Sequence, residues 1–303
     1  MPDLVPPSLD HLRTFLSVVE EGSFNGAARK SGRAISVISY AIGQLEAQLD
    51  VRLFEREGSR RPQLTEAGKA LMGEIHAISD GVDALLAKVR SLRQGLEAEL
   101  CLAVDVMVPG EALAKLLRDF QAMFPSVPLR LNVEALGAVA ALVVEGRATL
   151  AIAGPDIAAI PQIERETVGH VELVPVAAPD HPLAQMARIR AGEARKHLQL
   201  VLTDRSPLTE GRDFSVFSTR TWRLADLGAK HALLKEGIGW GSMPRHLVRD
   251  DLASGALVEL DLPERPAMDY ALVALWRKDS PPGPAATWVL DELPGLFAAC
   301  PRD

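Results

Sequence analysis

The chain of 303 residues contains only two cysteines, Cys101 and Cys300, which are too few for a disulfide framework and lack the spacing of a metal or redox site. We expect both to be small buried residues. No apolar run approaches the roughly 20 residues that span a bilayer. The first eight residues lack the basic-then-apolar pattern of a signal peptide. These absences predict a cytoplasmic protein that does not associate with a membrane.

Enzyme signatures are also missing. There is no P-loop, and the glycine cluster Gly237–Gly241 follows a predicted helix, whereas a dinucleotide-binding fingerprint opens one. None of the seven histidines has the spacing of a metal-ligand pair or lies beside a cysteine or a GxSxG motif. We therefore expect no enzyme activity, no catalytic residue, no metal and no cofactor, although a catalytic site built from distant residues stays open as an alternative.

The composition is that of a globular protein, with 48% hydrophobic and 24% charged residues. The length predicts about two domains. The net charge is −7, but residues 1–93 contain 12 basic and 12 acidic residues, so the negative excess lies downstream. Residues 22–65 contain seven basic and four acidic residues. This local excess permits contact with phosphates without establishing it.

Three short helices are predicted near the N-terminus. Ser8 can cap the first helix, which has apolar residues at helical spacing and ends at Gly22. The second begins at Ser23, is rich in small residues and ends near Gly32. The third covers Ser36–Leu49. Their short lengths and close spacing predict a small all-α module.

A hairpin is predicted after the third helix, with Leu53-Phe54 and Gln63-Leu64 as strands around a basic turn. The motifs of this region, in chain order, are Gly22-Ser23-Phe24, Ala27-Ala28, Ile42, Leu45-Glu46, Leu49, Arg52-Leu53-Phe54-Glu55-Arg56 and Leu64-Thr65-Glu66-Ala67-Gly68. This dense, ordered run resembles the winged helix-turn-helix of LysR-type transcriptional regulators. The resemblance implies that the third helix enters the major groove of DNA and that the hairpin, or wing, lies along the phosphate backbone.

The start of the third helix departs from the family pattern. Ala34-Ile35-Ser36 stands where the family usually has Ser-Gln-Pro, and Tyr40 where arginine is common. An alanine side chain cannot accept a hydrogen bond as an N-cap, and isoleucine cannot form a bidentate contact with adenine. We therefore expect readout through methyl groups, a tyrosine hydroxyl and DNA shape. The expected base-reading residues are Ser36, Val37, Ser39, Tyr40, Gly43 and Gln44, and the expected phosphate contacts are Arg33, Arg56, Arg60 and Arg61.

A long helix with a heptad repeat is predicted after Thr65, a suitable N-cap. Its apolar residues alternate at spacings of four and three: Leu71, Ile75, Ile78, Val82, Leu85, Val89 and Leu92. β-Branched residues at one core position and mostly leucine at the other favour a two-stranded coiled coil. The pattern predicts self-association, and the alternative is an amphipathic helix packed on its own domain. The resemblance agrees with pairing through this helix, generally antiparallel, so that two first domains read two half-sites.

From Glu99 onward, short apolar strands alternate with helices. The strands Leu100–Val106, Leu129–Val133 and Leu150–Ala153 and the helices Glu111–Phe124 and Gly137–Glu145 predict a βαβαβ half on a parallel sheet. A second half follows with the strands Leu173–Ala177, Leu198–Leu202, Trp222–Leu224 and Ile238–Trp240 and helices near Ala191–His197 and at Asp226–Lys235. The strand Tyr270–Trp276 and the helix Pro284–Phe297 are expected to return to the first half.

The expected fold therefore has an N-terminal all-α winged helix-turn-helix in residues 1–65, a linker helix for dimerisation in residues 66–93 and an α/β regulatory domain in residues 94–303. We expect the last domain to have two lobes: lobe I at about 94–163 and 267–303, and lobe II at about 164–266. The resemblance implies that this domain has a periplasmic-binding-protein-like fold that binds an effector between the lobes.

Loops that follow strands are expected to line the cleft between the lobes. Their low polarity favours an aromatic or partly apolar effector. Thr203 and Arg205 are candidates for binding a carboxylate, although a loop arginine more often pairs with a nearby acid. Tryptophans can form apolar walls, although they are more often core residues. The expected effector-binding residues are Met107, Val108, Thr203, Arg205, Trp222 and Trp240.

The leading hypothesis is a sequence-specific, DNA-binding transcriptional regulator whose activity is modulated by a small-molecule effector. Its expected partners are double-stranded DNA, the effector, RNA polymerase and further copies of the chain in a homodimer or homotetramer. The alternative is a cytoplasmic solute-binding or catalytic α/β protein whose N-terminal module mediates association.

Overall fold

The computed structural model describes residues 5–55, 62–93, 95–155, 160–204, 206–209, 212 and 214–299. The chain divides into two compact units, Met1–Arg90 and Ser91–Asp303. Within the described ranges, no helix combines the length and the hydropathy that a membrane span requires.

Four helices define the first unit: α1 (Leu9–Glu20), α2 (Phe24–Ser31), α3 (Ile35–Leu49) and α4 (Glu66–Arg93). The hydroxyls of Ser8 and Ser23 accept hydrogen bonds from backbone N–H groups in the first turns of α1 and α2, at 3.2 and 2.9 Å. The Thr65 hydroxyl caps α4 in the same way, at 3.0 Å from the Gly68 nitrogen. The predicted helices and their caps are therefore confirmed.

The hairpin after α3 is short, with one antiparallel bridge between Phe54 and Leu64. Its first strand is held by Glu46 of α3, whose carboxylate accepts hydrogen bonds from the Leu53 and Phe54 nitrogens at 2.7 and 3.2 Å. The Phe54 ring packs into the helical core, 5.4 Å from the ring of Phe15. The wing is thus fixed to α3 by a buried aromatic ring and by a side chain that caps its backbone.

The second unit contains nine strands and five helices within its described residues. The strands are β1 (Leu100–Asp105), β2 (Leu129–Glu134), β3 (Leu150–Ala153), β4 (Ile163–Ala177), β5 (Gln199–Leu202), β6 (Thr221–Leu224), β7 (Trp240–Pro244), β8 (Val258–Glu259) and β9 (Met268–Arg277). The helices are α5 (Gly110–Met123), α6 (Gly137–Val144), α7 (Leu227–Lys235), α8 (Arg245–Ser254) and α9 (Pro284–Ala298).

These strands form one mixed sheet in the order β2-β1-β3-β9-β4-β7-β5-β6, with β8 pairing to β4. β1 is parallel to β2 and β3, which confirms the predicted βαβαβ half. β5 is parallel to β6 and β7. The long strands β4 and β9 are antiparallel to each other and connect the two parallel groups. The sheet is therefore parallel within each lobe and antiparallel where the chain crosses between them.

Several predicted boundaries in the second unit were wrong. β4 begins at Ile163, ten residues before the predicted start at Leu173. The segment near Ala191–His197 contains only one 3₁₀ turn. Gly237 and Gly239 adopt φ values of 75° and 74°, which form a turn, so the strand predicted at Ile238–Trp240 begins at Trp240. Helix α8 and strand β8 were not predicted.

The last helix, α9, returns to the first strand group as predicted. Phe297 contacts β4 so closely that a Cβ atom on Gly169 would lie 2.5 Å from the Phe297 Cβ. Trp288 packs 6.2 Å from the ring of Phe120 and 5.7 Å from that of Phe124, beside α5. Helix α9 therefore closes the core of lobe I.

Candidate functional sites: helix α3 and the interlobe cavity

Helix α3 has one buried and one exposed face, and the exposed face is unusually apolar. Ile35, Val37 and Tyr40 are 49%, 46% and 66% exposed. The buried face holds the module together through Ile38 and Leu45, among others. Large apolar side chains grouped on a solvent-facing surface mark an interaction site. Of the six predicted base-reading residues, five are exposed and one is half-buried; the exposed ones are Ser36, Val37, Ser39, Tyr40 and Gly43, and the half-buried one is Gln44.

Cationic groups lie beside α3 and not on it, because Glu46 is its only charged residue. Arg33 precedes the helix, and its guanidinium forms two hydrogen bonds with the Asp10 carboxylate, at 2.8 and 2.9 Å. These bonds hold the pKa of Asp10 below its usual value. A phosphate that binds Arg33 would therefore have to share the guanidinium group with the Asp10 carboxylate. The other predicted phosphate contacts, Arg56, Arg60 and Arg61, lie outside the described residues.

The N-terminal half of α4 packs on its own unit. Ile75 is 4% exposed, and Leu71 packs against the same core. On the next turns, Arg13 of α1 donates to the Ser79 hydroxyl at 3.2 Å and to the Asp83 carboxylate at 2.6 Å. The prediction that all seven heptad residues face a second chain therefore needs correction at Ile75, a core residue of the unit, and at Leu71, which is partly buried against that core.

The C-terminal half of the heptad seam has no such cover. Val82 is half-buried, and the four other seam residues are between 43% and 61% exposed: Ile78, Leu85, Val89 and Leu92. A row of exposed aliphatic side chains at this spacing on a long helix is typical of a coiled-coil contact.

A cavity of about 60 Å³ lies between the lobes. We call it the interlobe cavity. Its walls come from the loops after β1 and β2, from the crossing strands β4 and β9, and from β5, α7 and β7. Most of the lining is apolar, and its side chains include Met107, Leu136, Leu173, Phe214 and Met268. The polar side chains of the lining are Gln199, Ser215, Lys230, Ser242, Arg265 and Tyr270.

Asp105, at the end of β1, fixes the lobe I wall. Its buried carboxylate accepts hydrogen bonds from the nitrogens of Met107 and Leu136, at 2.8 and 3.2 Å, and from the Tyr270 hydroxyl at 3.4 Å. Burial raises the pKa of Asp105 to about 6, against the effect of these hydrogen bonds. Leu136 has a φ of 51°, a conformation that costs energy for a branched residue and is typical of functional sites.

Lys230, on α7, is the most unusual group of the lobe II wall. Its side chain is buried, with the residue 4% exposed, and its ammonium group donates to the carbonyl oxygen of Ser242 at 2.6 Å. Burial, with a smaller contribution from the charge of Arg265, lowers the pKa of Lys230 to about 7. Lys230 was not predicted from the sequence. The available signal was its place between Leu227 and Leu234, at the three- and four-residue spacing of the buried face of α7.

A carboxylate of lobe II reaches across to lobe I. Asp204, after β5, accepts hydrogen bonds from the Ala138 nitrogen in the first turn of α6, at 2.8 Å, and from the Thr209 hydroxyl at 2.5 Å. The lobes approach so closely here that a Cβ atom on Gly137 would lie 2.6 Å from the Thr209 methyl carbon. Asp204, which was also not predicted from the sequence, thus joins the two lobes through its hydrogen bond with Ala138.

The predicted effector-binding residues separate into those near the cavity and those elsewhere. Met107 lines it, whereas Val108 lines a wider neighbouring pocket of about 820 Å³. Thr203 is half-buried beside Asp204. Arg205 lies outside the described residues.

Neither tryptophan forms a wall of the interlobe cavity. Trp222 is 52% exposed on the edge strand β6. Trp240 is fully buried in a separate hydrophobic cluster, and its indole nitrogen donates to the Ala194 carbonyl at 3.2 Å. Both predictions therefore need correction. Trp240 is a core residue, which was the alternative that the sequence left open. Cys101 is half-buried, and Cys300 is outside the described residues. The structure groups no cluster of metal-ligating side chains in the part of the chain that it describes.

Two family profiles match the chain. The bacterial regulatory helix-turn-helix protein profile of the lysR family matches residues 9–69, and the LysR substrate binding domain profile matches residues 93–298. The chain therefore belongs to the LysR family. It is a DNA-binding transcriptional regulator with an effector-binding domain, and its relatives carry the names of regulators and not of enzymes.

Similarity to individual proteins extends over nearly the whole chain. It is 29% identical over 307 residues to the probable HTH-type transcriptional regulator YhaJ of Escherichia coli K12, with 96% of this chain and 97% of YhaJ covered. It is 25% identical over 297 residues to AceR of Acinetobacter baumannii, with 93% and 95% covered.

Solved structures share the fold. A cysteine mutant of OxyR from Corynebacterium glutamicum has a TM-score of 0.53 at 19% identity, with 98% of this chain and 97% of OxyR covered. Full-length LysG from the same organism, with bound effector arginine, has a TM-score of 0.50 at 20% identity, with 96% and 98% covered.

Proposed function

We propose that the first unit reads DNA through the exposed face of α3 and that two chains pair through the uncovered half of the α4 seam. The interlobe cavity then binds the effector, and the DNA-binding domain, linker helix and two-lobed domain have the boundaries predicted from the sequence. In this proposal the protein acts in the cytoplasm and contacts RNA polymerase.

The observation that carries the DNA-binding proposal is the apolar, uncharged exposed face of α3. Val37 offers methyl groups and Tyr40 a ring and a hydroxyl, which suit contacts with thymine methyl groups and base edges. Phosphate contacts must then come from neighbouring elements, such as the basic residues of the wing and the exposed Arg29 and Arg52. In this arrangement α3 contacts the bases, and other elements of the same unit contact the phosphates.

Tyr40→Ala tests the base-reading face by fluorescence anisotropy with DNA that flanks the gene. We expect binding of the specific site to weaken by about 5- to 150-fold, the equivalent of one base contact, with little change for random DNA. The double change Arg60→Ala and Arg61→Ala should instead weaken binding to both DNAs and reduce the salt slope by about one unit for each lost phosphate contact. Lys115→Ala, on α5 of the second unit, is the control and should change neither.

The two outcomes that oppose the proposal are distinct. If Tyr40→Ala binds specific and random DNA as the wild type does, α3 is not the reading helix. If the wild-type chain binds small molecules but no duplex at any salt concentration, the N-terminal module has an association role instead.

A further inference from the structure

We propose that the effector is a small organic carboxylate, whose carboxylate group pairs with the ammonium group of Lys230 and whose apolar body lies against Met107, Leu136 and Phe214. This inference rests on the proposed role of the interlobe cavity and names the class of molecule that it binds.

The hydrogen-bonding capacity of Lys230 is only partly used. An ammonium group has three N–H donors, and the structure assigns it one acceptor, the Ser242 carbonyl oxygen. Among the residues that the structure describes, no carboxylate forms an ion pair with Lys230. A buried cation without a counter-charge is costly, and an anionic ligand supplies the charge and the acceptors that the described residues do not.

The surrounding chain is shaped to keep this lysine in place. Gly241 of β7 leaves room for the stem of the side chain, because a Cβ atom there would lie 3.0 Å from the Lys230 Cε and 2.7 Å from the Leu200 carbonyl oxygen. Asp226 caps α7, accepting a hydrogen bond from the Ala229 nitrogen at 2.5 Å. The ammonium group is therefore directed into the cavity by a fixed helix against a strand without a side chain.

The charges around the cavity also favour an anion. Arg265, a second cation, also lines it. Of the acids that the structure describes around the cavity, Asp105 accepts hydrogen bonds from its own loop and from Tyr270, and Asp204 accepts one from the first turn of α6. The cavity thus combines positive charge on lobe II with apolar side chains, which matches a carboxylate carried on an apolar body.

A volume of about 60 Å³ is far below the roughly 300–1,000 Å³ of ordinary ligand pockets. An organic acid can enter only if the lobes separate, which breaks the contact between Asp204 and α6. Binding therefore selects a more open arrangement of the lobes and gives the effector a way to act on the rest of the chain.

The test uses the full-length chain and matched pairs of acids and their primary amides: benzoate with benzamide, phenylacetate with phenylacetamide, and cinnamate with cinnamamide. Each pair has nearly the same shape and differs in charge. Thermal shift identifies the acids that bind, and isothermal titration calorimetry measures their affinity. We expect at least one acid, and not its amide, to raise the unfolding temperature.

Lys230→Met keeps the apolar stem and removes the charge. It should weaken binding of that acid by roughly 10- to 100-fold, the range for losing a hydrogen bond to a charged group. Lys196→Met, an exposed lysine that pairs with Glu193, is the matched control and should leave the affinity unchanged.

Binding should also depend on pH. The pKa of Lys230 is about 7 in the free protein, and a bound carboxylate raises it, so affinity should fall as pH rises above about 7 and stay flat in Lys230→Met. Of the other groups that face the cavity, Arg265 stays charged, Tyr270 donates to Asp105 as a neutral phenol, and Asp105, with a pKa of about 6, titrates at lower pH.

Two results would overturn the inference. One is a screen in which no acid stabilises the wild-type chain more than its amide does. The other is an acid whose affinity is the same in the wild type and in Lys230→Met. If amides bind and acids do not, the cavity remains an effector site with a different ligand class, whereas loss of DNA binding by Tyr40→Ala tests the regulator function independently.

Discussion

At the residue scale, Gly68 shows why the sequence motif after the wing ends in glycine. A Cβ atom at this position would lie 2.3 Å from the Leu53 carbonyl oxygen, where neither backbone can move easily. Gly68→Ala should therefore lower the free energy of unfolding of the first unit by about 1–3 kcal/mol, measured by urea denaturation. Gly73→Ala, on the same helix with nothing within 4 Å of its Cβ position, should raise stability by up to about 1 kcal/mol. Equal effects of the two changes would mean that the contact with Leu53 is not the cause.

Lys230 should also produce a measurable pH dependence of stability in the absence of ligand. Its pKa falls from 10.5 to about 7 on folding, so between those values the unfolded chain binds a proton that the folded chain does not. The free energy of unfolding should therefore rise with pH from about 7 to 10.5, by at most about 1.4 kcal/mol per pH unit from this group.

This contribution is isolated by comparing variants. Lys230→Met should remove that part of the slope, and Lys235→Met, on the same helix but 43% exposed and paired with Asp251, should retain it. Parallel curves for wild type and Lys230→Met would show that the buried amine keeps its ordinary affinity for protons.

The position of Lys230 was readable from the sequence, but its role was not. Its spacing from Leu227 and Leu234 indicates a buried face, yet a lysine on such a face more often extends its charge to solvent. Only the packing of α7 against β7 shows that the ammonium group ends beside the Ser242 carbonyl oxygen. For Trp240 the prediction was wrong. Its position at the end of a predicted strand indicated that it lines the cleft, but packing places it in the core.

At the scale of elements, the first and the later turns of α4 differ in what covers their heptad seam. Its first turns complete the core of its own unit through Ile75, and its later turns expose the seam from Ile78 onward, with Val82 half-buried. Val82→Asp should therefore abolish dimers in light scattering without unfolding the unit, because the charge enters only the seam. Ala84→Asp introduces the same charge at an exposed position on the opposite face and should leave the dimer intact.

Ile75→Asp supplies the complementary outcome. A charge in the core should unfold the first unit at lower temperature, whether or not dimers form. Dimers that persist in Val82→Asp would show that the pairing of the chains uses another surface.

The elements that were predicted well have local sequence signals, such as N-cap residues, apolar residues at helical spacing and short apolar runs. The first half of β4 has none, since Glu164, Arg165 and Glu166 are exposed. It is a strand because it pairs with β9 from Ile163 to Leu173, a long-range contact that overrides local preference. Helix α8 was not predicted for a related reason. It buries only Val248 and Asp251, which are too few to form a periodic apolar stripe.

At the scale of the whole molecule, we expect Asp204 to limit how readily the cleft opens. Its hydrogen bond to the Ala138 nitrogen joins the lobes at the first turn of α6, where the helix dipole favours a negative charge. If the open arrangement binds the acid, the apparent dissociation constant is the intrinsic one divided by the fraction of open molecules. Any change that weakens this contact raises that fraction.

Asp204→Ala should therefore tighten binding of the carboxylate that the screen identifies by about ten-fold, as expected for the loss of one hydrogen bond to a charged group. Removing a negative charge near the cavity would also favour an anion, and Asp204→Asn separates the two causes. Asparagine removes the charge but retains the acceptor for the Ala138 N–H group, so it should tighten binding less than alanine does. Asp250→Ala, an exposed position on α8, should have no effect.

The same variant should shift DNA binding, because a ligand and a mutation that favour one arrangement of the lobes must change the output in the same direction. In anisotropy titrations without ligand, Asp204→Ala should therefore move the affinity for the specific site toward the value of the acid-bound wild type. Adding the acid to the variant should then produce a smaller further change than it does in the wild type, because part of the opening has already occurred. An unchanged response to the acid would mean that the contact between Asp204 and α6 plays no part in coupling the cavity to DNA.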